Sequence, residues 1–229
     1  MLQRILEPEV MDSANEAHDY DAMDHSHVNQ VFVADLLSFG APRANAPRLS
    51  TLDVGAGTAQ IPITLCRAHP GFRILAIDMA EHMLRVGRAN VERAGLGERI
   101  TMERCDAKRM TFADESFDVV MSNSIVHHIP APAAVFAEMA RVVRTDGVLF
   151  VRDLLRPVSA AELHGFVQKY AGDANAHQQK MFGDSLHAAL TLDEVRAIVV
   201  GLGFKAASVE QTSDRHWTWA ARRIRSSDF

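Results

Sequence analysis

The spacing of apolar residues changes at regular intervals along the chain, and each change marks an element. From Val28 to Phe39 the spacing is helical, and Gly40 to Arg48, with Pro42 and Pro47, ends that helix. Leu49 to Val54 is a short apolar run closed by the turn Gly55-Ala56-Gly57, after which Ile61 to Ala68 is helical again. The alternation continues with a strand over Arg73–Ile77, a helix over Glu81–Ala94 that stops at Gly95, and strands over Ile100–Arg104 and Phe117–Ser122. A helix over Ala133–Val143 and a strand over Gly147–Asp153 follow. Strands separated by helices predict a parallel sheet covered on both faces, the α/β class.

From Pro157 the rhythm is different. Ala160–Tyr170 and His177–Leu190 read as two helices with no strand between them, placed as an insertion over the open end of the sheet. A helix over Leu192–Leu202 stops at Gly203, and strands over Lys205–Gln211 and His216–Arg222 close the pattern. Trp217 and Trp219 alternate on the last strand and are expected to cover a core face, whereas Arg222, Arg223 and Arg225 read as a solvated tail.

Composition narrows the function. The 229 residues are 48% hydrophobic and 23% charged, which excludes intrinsic disorder. A formal charge of −5 offers no general attraction to nucleic acid or to an anionic membrane, so neither is an expected partner. Cys66 and Cys105 form no CxxC pair, which argues against a disulfide scaffold and for a reducing compartment. Met1 to Asp12 shows no signal-peptide pattern and no apolar run is long enough to span a bilayer, so a cytoplasmic location is expected.

The candidate chemistry lies at the ends of the predicted strands, where ligands of such sheets bind. Gly55 and Gly57 let the chain turn tightly with no side chain between backbone and ligand. Asp78 ends the second strand, where a carboxylate can accept hydrogen bonds from both hydroxyls of a ribose. Asp106 follows the third strand, where it could meet an adenine amino group. Taken singly, the glycines are compatible with a plain loop and each acid with a turn or helix cap. A nicotinamide dehydrogenase would need a glycine three residues after Gly57, and that position is Gln60.

Four motifs in order resemble the class I S-adenosylmethionine-dependent methyltransferases, closest to the small-molecule branch that includes the quinone-methylating enzymes. They are Leu52 to Ala59, Ala76 to Leu84, Cys105-Asp106-Ala107, and Phe117 to His128 (FDVVMSNSIVHH), and the resemblance covers Thr51 to Asp153. It implies a Rossmann-like, seven-stranded, mostly parallel sheet in the order 3-2-1-4-5-7-6, flanked by helices and with helical lid elements. It also implies S-adenosylmethionine as cofactor. Asp53 would hold the methionine ammonium, Gly55, Ala56 and Gly57 would pass beneath the methionine portion, and Asp78 would bind the ribose. Met79 would flank the adenine, Asp106 and Ala107 would bracket its polar edge, and Ser122 and Asn123 would face the methionine moiety. Ala59 departs from the pattern, which often has a third glycine there.

On this reading the chain divides into an N-terminal helical arm or lid (1–48), a cofactor-binding Rossmann-like core (49–156), a helical lid insertion (157–190) and a closing helix with two strands that complete the sheet (191–229). Methyl transfer from a sulfonium needs no acid, because a neutral thioether leaves; it needs a nucleophile on axis, water excluded and, for a protic acceptor, a base. The candidates for the acceptor side are His128, as a base titrating near neutrality or as an orienting group, Tyr20 on the arm, and Asp153 at the end of the fifth strand. The pair His127-His128 also reads as a packing feature, and the segment around Tyr20 also reads as a solvated leader. Neither His25-Ser26-His27 nor His127-His128 announces third and fourth ligands, so no metal is expected. Phe166, Tyr170, Phe182 and His187 of the insertion read as packing, although substrate choice is encoded in this region of the family. Ser122-Asn123-Ser124-Ile125 lacks the proline-rich motif of nucleic-acid amino methylation, leaving a small-molecule acceptor, with a homodimer left open. Two other classes remain alternatives: a protein that binds the cofactor for regulation without transfer, and a nicotinamide-dependent oxidoreductase.

Overall fold

The computed structural model describes residues 2–8, 10, 12–40 and 48–224. Among them one sheet is built from β1 (Leu49–Val54), β2 (Phe72–Asp78), β3 (Ile100–Arg104), β4 (Phe117–Asn123), β5 (Val143–Leu154), β6 (Val209–Gln211) and β7 (His216–Arg222). Its order is β3-β2-β1-β4-β5-β7-β6, as the resemblance implied. β1 to β5 run parallel, and β7 lies antiparallel between β5 and β6. The strand order reverses between β1 and β4, so their carboxyl ends open a crevice.

The helices are α1 (Ala14–Ala22), α2 (Ser26–Phe39), α3 (Gln60–Ala68), α4 (Glu81–Arg93), α5 (Pro132–Val142), α6 (Ala160–Ala171), α7 (Ala176–Ala188) and α8 (Leu192–Gly201). Consecutive strand residues face opposite layers. Val120, Leu149 and Val151 join Phe136 of α5 and Val195 of α8 on one face, while Val119, Met121, Val148 and Phe150 join Phe32 of α2 and Leu65 of α3 on the other. Burial on both faces makes these strands read as unbroken apolar runs. Trp217 and Trp219 are fully buried against Phe136, as their alternation predicts.

Four departures from the sequence reading have local causes. Residues 14–22 form α1, although only Ala17 of it is buried; a capping box between Ser13 and Glu16 starts the helix where no apolar stripe announces it. β5 begins at Val143 rather than Gly147, through an irregular register between Phe117 and Val119 of β4. β6 shrinks to Val209–Gln211, because Ala206–Ser208 is a tight helical turn and Val209 is the only buried residue of the strand. Arg222 and Arg223 are not simply solvated: they donate to the carbonyls of Gly40, Asp146, Arg141 and Val143, while Arg225 lies outside the described residues.

α6 and α7 pack on one another, with Leu163, Phe166 and Phe182 around Leu154, Val167 and Leu186. The Tyr170 hydroxyl donates to Asp214 at 2.5 Å. Arg152, beside Asp153, pairs with Asp35 of α2 at 2.6 Å and donates to the Thr218 hydroxyl at 2.8 Å.

Candidate active site

A single cleft opens at the carboxyl ends of β1 to β4 and gathers Tyr20, Asp53, Gly55, Ala56, Gly57, Asp78, Met79, Asp106, Ala107, Asn123 and His128 along its walls. Eleven of the thirteen residues singled out in the sequence thus meet in one place. The other two do not line it. The Ser122 hydroxyl donates to the Val54 carbonyl at 2.7 Å, tying β4 to β1 away from the opening. Asp153 is sealed behind the wall, where its carboxylate accepts from the backbone N–H groups of Val126 (2.5 Å) and Leu154 (2.6 Å) and pairs with His127 Nδ1 at 2.5 Å.

The glycine turn is shaped by its neighbours. Gly55 has φ +76, and a Cβ there would lie 2.0 Å from Ile125 Cγ2 on the loop after β4. Packing of that loop, rather than a ligand alone, therefore requires Gly55. At Gly57 (φ +51) a Cβ would make only an ordinary van der Waals contact, with Tyr20 Cε1 at 3.8 Å. Ala59 is also left-handed (φ 65), so the position where the family often has glycine carries backbone strain as well as a methyl group.

Asp78 reaches across the turn, accepting from Gly57 N–H at 2.8 Å and from Ala80 N–H at 2.9 Å. Burial raises its carboxyl, and these backbone bonds pull it part of the way back. Asp53 is almost fully buried; desolvation, with the Asp78 charge behind it, pushes its carboxyl up to about 8. Its carboxyl faces the cleft and holds its proton far more tightly than an exposed acid does. Burial would raise Asp106 too, but the backbone N–H and ammonium of Lys108, at 2.9 and 3.1 Å, leave it lowered.

The arm closes one side. Tyr20 lies over the turn with its ring against His25 (4.8 Å between centroids), and burial plus the nearby Asp78 and Asp53 push the phenol up to about 12, so it remains a hydrogen-bond donor. A polar latch holds the arm: Asn90 of α4 donates to Asp21 Oδ1 at 2.8 Å and to the Thr58 carbonyl at 3.0 Å. Gln60 accepts from Asn29 at 3.1 Å and donates to Asp21 at 3.3 Å. Among the described residues none of α6 or α7 lines the cleft, whereas Val10, Tyr20 and Asn29 of the N-terminal segment do.

Two residues not singled out as ligands stand out here. Thr58 lines the cleft with a buried hydroxyl that has no partner, directly after the glycine pair. Glu7 brings its carboxylate to the histidine pair, 3.5 Å from His127 Nε2 and 3.2 Å from His128 Nδ1. Thr58 follows a recognised motif and could have been found; nothing in the pattern around Glu7 connects it to residues 120 positions away. Burial lowers His127, but the Asp153 carboxylate outweighs it and leaves that imidazole raised. His128 shows the opposite balance: burial and the His127 charge push it down to about 3, not to the expected titration near neutrality.

A methyltransferase domain model matches residues 52–151, the segment that supplies most of the cleft's lining residues. The chain is 33% identical over 198 residues to a malonyl-[acyl-carrier protein] O-methyltransferase of Geobacter sulfurreducens, covering 84% of this chain and 68% of that one. The chain belongs to the methyltransferase family. The methyltransferase is also 29% identical, over 76% of its length, to the 27-O-demethylrifamycin SV methyltransferase of Amycolatopsis mediterranei, of which it spans 61%. Its fold is that of the magnesium protoporphyrin IX methyltransferase of Synechocystis, solved with bound SAH (TM-score 0.61, 20% identity, covering 87% of this chain and 83% of that one). Among the described residues no helix is long and apolar enough to cross a membrane.

Proposed function

We propose that this methyltransferase moves a methyl group from S-adenosylmethionine to a small organic acceptor. The observation that carries the reading is the mismatch of Asp53: an acid buried at the floor of the cleft, neutral for want of a cation, is a ready partner for the donor's ammonium. Thr58, in the same cleft, has an unpartnered hydroxyl that is a further hydrogen-bond candidate. The fit extends along the cleft. Asp78 keeps acceptor capacity toward the opening for a ribose, and Met79 is 40% exposed, presenting a flat apolar edge to an adenine. Ala107 and Asp106 stand at the base's polar side, and Asn123 borders the methionine end.

When bound, the donor supplies a methyl carbon on a positively charged sulfur, open to in-line attack. The chain then has three tasks: to hold the acceptor on that axis, to keep water out and to leave the departing thioether unhindered. Tyr20 and the latched arm exclude water above the glycine turn, and the Tyr20 phenol donates to an acceptor or donor oxygen. His128 and Ile129 wall the other side and close the cleft to water there. Asp153 acts behind the wall by fixing His127 and, through it, the loop that carries His128.

The names of two relatives, a 27-O-demethylrifamycin SV methyltransferase and a malonyl-[acyl-carrier protein] O-methyltransferase, support acceptors methylated at oxygen. Incubation with methyl-labelled donor and a panel of phenols, alcohols, carboxylic acids and quinols is the test. Label in an organic product, lost in Asp78→Ala, supports the reading. Cofactor binding with no transfer across the panel favours a binding protein.

A further inference from the structure

The N-terminal strap brings one carboxylate to two imidazoles that are adjacent in sequence but face the same point. Glu7, His127 and His128 are the one group among the described residues whose donor atoms all lie within 4.8 Å of one another with the chemistry of a metal ligand set. We propose that Glu7, His127 and His128 form a binding site for a divalent transition metal of the zinc type, which clasps the strap to the loop behind the cleft wall.

Spacing supports this first. Bonds of about 2.0–2.1 Å to a tetrahedral ion place neighbouring donors about 3.3–3.4 Å apart. Glu7 Oε1 lies 3.2 Å from His128 Nδ1 and 3.5 Å from His127 Nε2, on either side of that value. The state of these atoms is a second, independent observation. Glu7 Oε1 and His128 Nδ1 are both buried and, despite their approach, neither makes a hydrogen bond. Two buried polar atoms facing one another unsatisfied are costly as they stand and satisfied by an ion between them.

The surroundings are those of a ligand set. A metal-binding histidine commits its other ring nitrogen to a carboxylate or carbonyl, which fixes the tautomer. His127 commits Nδ1 to Asp153 at 2.5 Å and leaves Nε2 toward Glu7. His128 engages the backbone of Pro8 and leaves Nδ1 toward Glu7. The strap is held in register by Arg4, whose guanidinium donates to the carbonyls of Ala188 (2.6 Å), Ile129 (3.0 Å) and His127 (3.2 Å), and by Ile5 N–H on His187 O at 3.2 Å. Two imidazoles and a carboxylate suit zinc and its first-row neighbours better than magnesium or calcium, which prefer all-oxygen sets. Three protein donors leave one position for a water or another oxygen.

The test uses the full chain, stripped with a chelator, loaded with zinc sulfate and dialysed, with metal content, far-UV circular dichroism and the visible spectrum of a cobalt(II)-loaded sample as readouts. The expected result is about one zinc per chain and d–d bands of a four-coordinate nitrogen/oxygen site. Glu7→Gln and, separately, His128→Gln are expected to weaken zinc binding at least tenfold with unchanged dichroism, while His27→Gln retains it. Failure of the wild-type chain to hold stoichiometric zinc would overturn the proposal, as would equal retention in folded Glu7→Gln. Because the readouts are metal content and spectrum, the outcome is independent of whether methyl transfer is found.

Discussion

The carboxylate of Asp78 accepts the backbone N–H of Gly57 at 2.8 Å, so the end of the second strand sets the shape of the turn after the first. One acid therefore orders the glycine turn and, in the proposed function, would offer its remaining lone pairs to the ribose. Asp78→Ala removes both. It is expected to leave a folded protein whose affinity for S-adenosylmethionine falls by about 1–3 kcal/mol, the cost of losing a charge-assisted hydrogen bond, as measured by calorimetric titration. Unchanged affinity in a folded variant would show that the ribose binds elsewhere.

With Asp53 as the proposed partner of the donor's ammonium, cofactor binding is predicted to depend on pH. In the free protein its carboxyl is held at about 8 and is neutral below that. A cation beside it lowers that value, so the complex carries fewer protons, one is released on binding and affinity rises with pH. The rise should approach about one tenfold step per pH unit between about pH 5.5 and 7.5, then flatten as the donor's own ammonium, near about 8, begins to titrate. Titrations in buffers of different ionisation enthalpy count the proton; a flat profile would refute the assignment. For the unliganded fold the sign is the reverse, since a raised acid loses its stabilising contribution as pH rises from about 4 to about 8. Asp53→Asn should escape that loss and gain relative stability at pH 9 in urea unfolding.

Gly55 is predicted to tolerate no side chain. Alanine there would sit at φ +76 with its Cβ 2.0 Å from Ile125 Cγ2. Left-handed strain of about 1–2 kcal/mol and overpacking of about 1–3 kcal/mol should together lower unfolding stability by about 2–5 kcal/mol. Gly57→Ala meets only the first of these costs, because its Cβ would make an ordinary contact with Tyr20 at 3.8 Å and no clash, so the two variants should separate clearly in chemical denaturation.

The Asn90 latch offers a test of the arm. Asn90→Leu removes the bonds to Asp21 and to the Thr58 carbonyl, and Asn90 itself does not line the cleft. The expected result is a cofactor dissociation rate about fivefold or more faster, corresponding to about 1 kcal/mol of lost hydrogen bonding, with near-native secondary structure. An unchanged rate in stopped-flow displacement would mean that the arm does not gate the cleft.

The sheet and the cofactor cleft were legible in the sequence because they are built from local signals. Apolar runs buried on both faces mark strands, and the strand ends carry Gly55, Asp78 and Asp106 within a few residues of the strands that place them. What was not legible depends on long-range capture. Asp153 sits at a strand end like the others, yet His127 and two backbone N–H groups draw its side chain behind the wall. α1 has no apolar stripe and is started by a cap and held by a latch to Asn90 and Gln60. Glu7 meets the histidines only because Arg4 and Ile5 fasten the strap to carbonyls far along the chain.

The central claim is that this cleft holds S-adenosylmethionine. Calorimetric titration of the purified chain with S-adenosylmethionine, with its demethylated product, and with reduced and oxidised nicotinamide dinucleotides tests it most directly. Micromolar binding of the first two and none of the nicotinamide compounds is the predicted result. Nicotinamide binding without sulfonium binding would contradict the account.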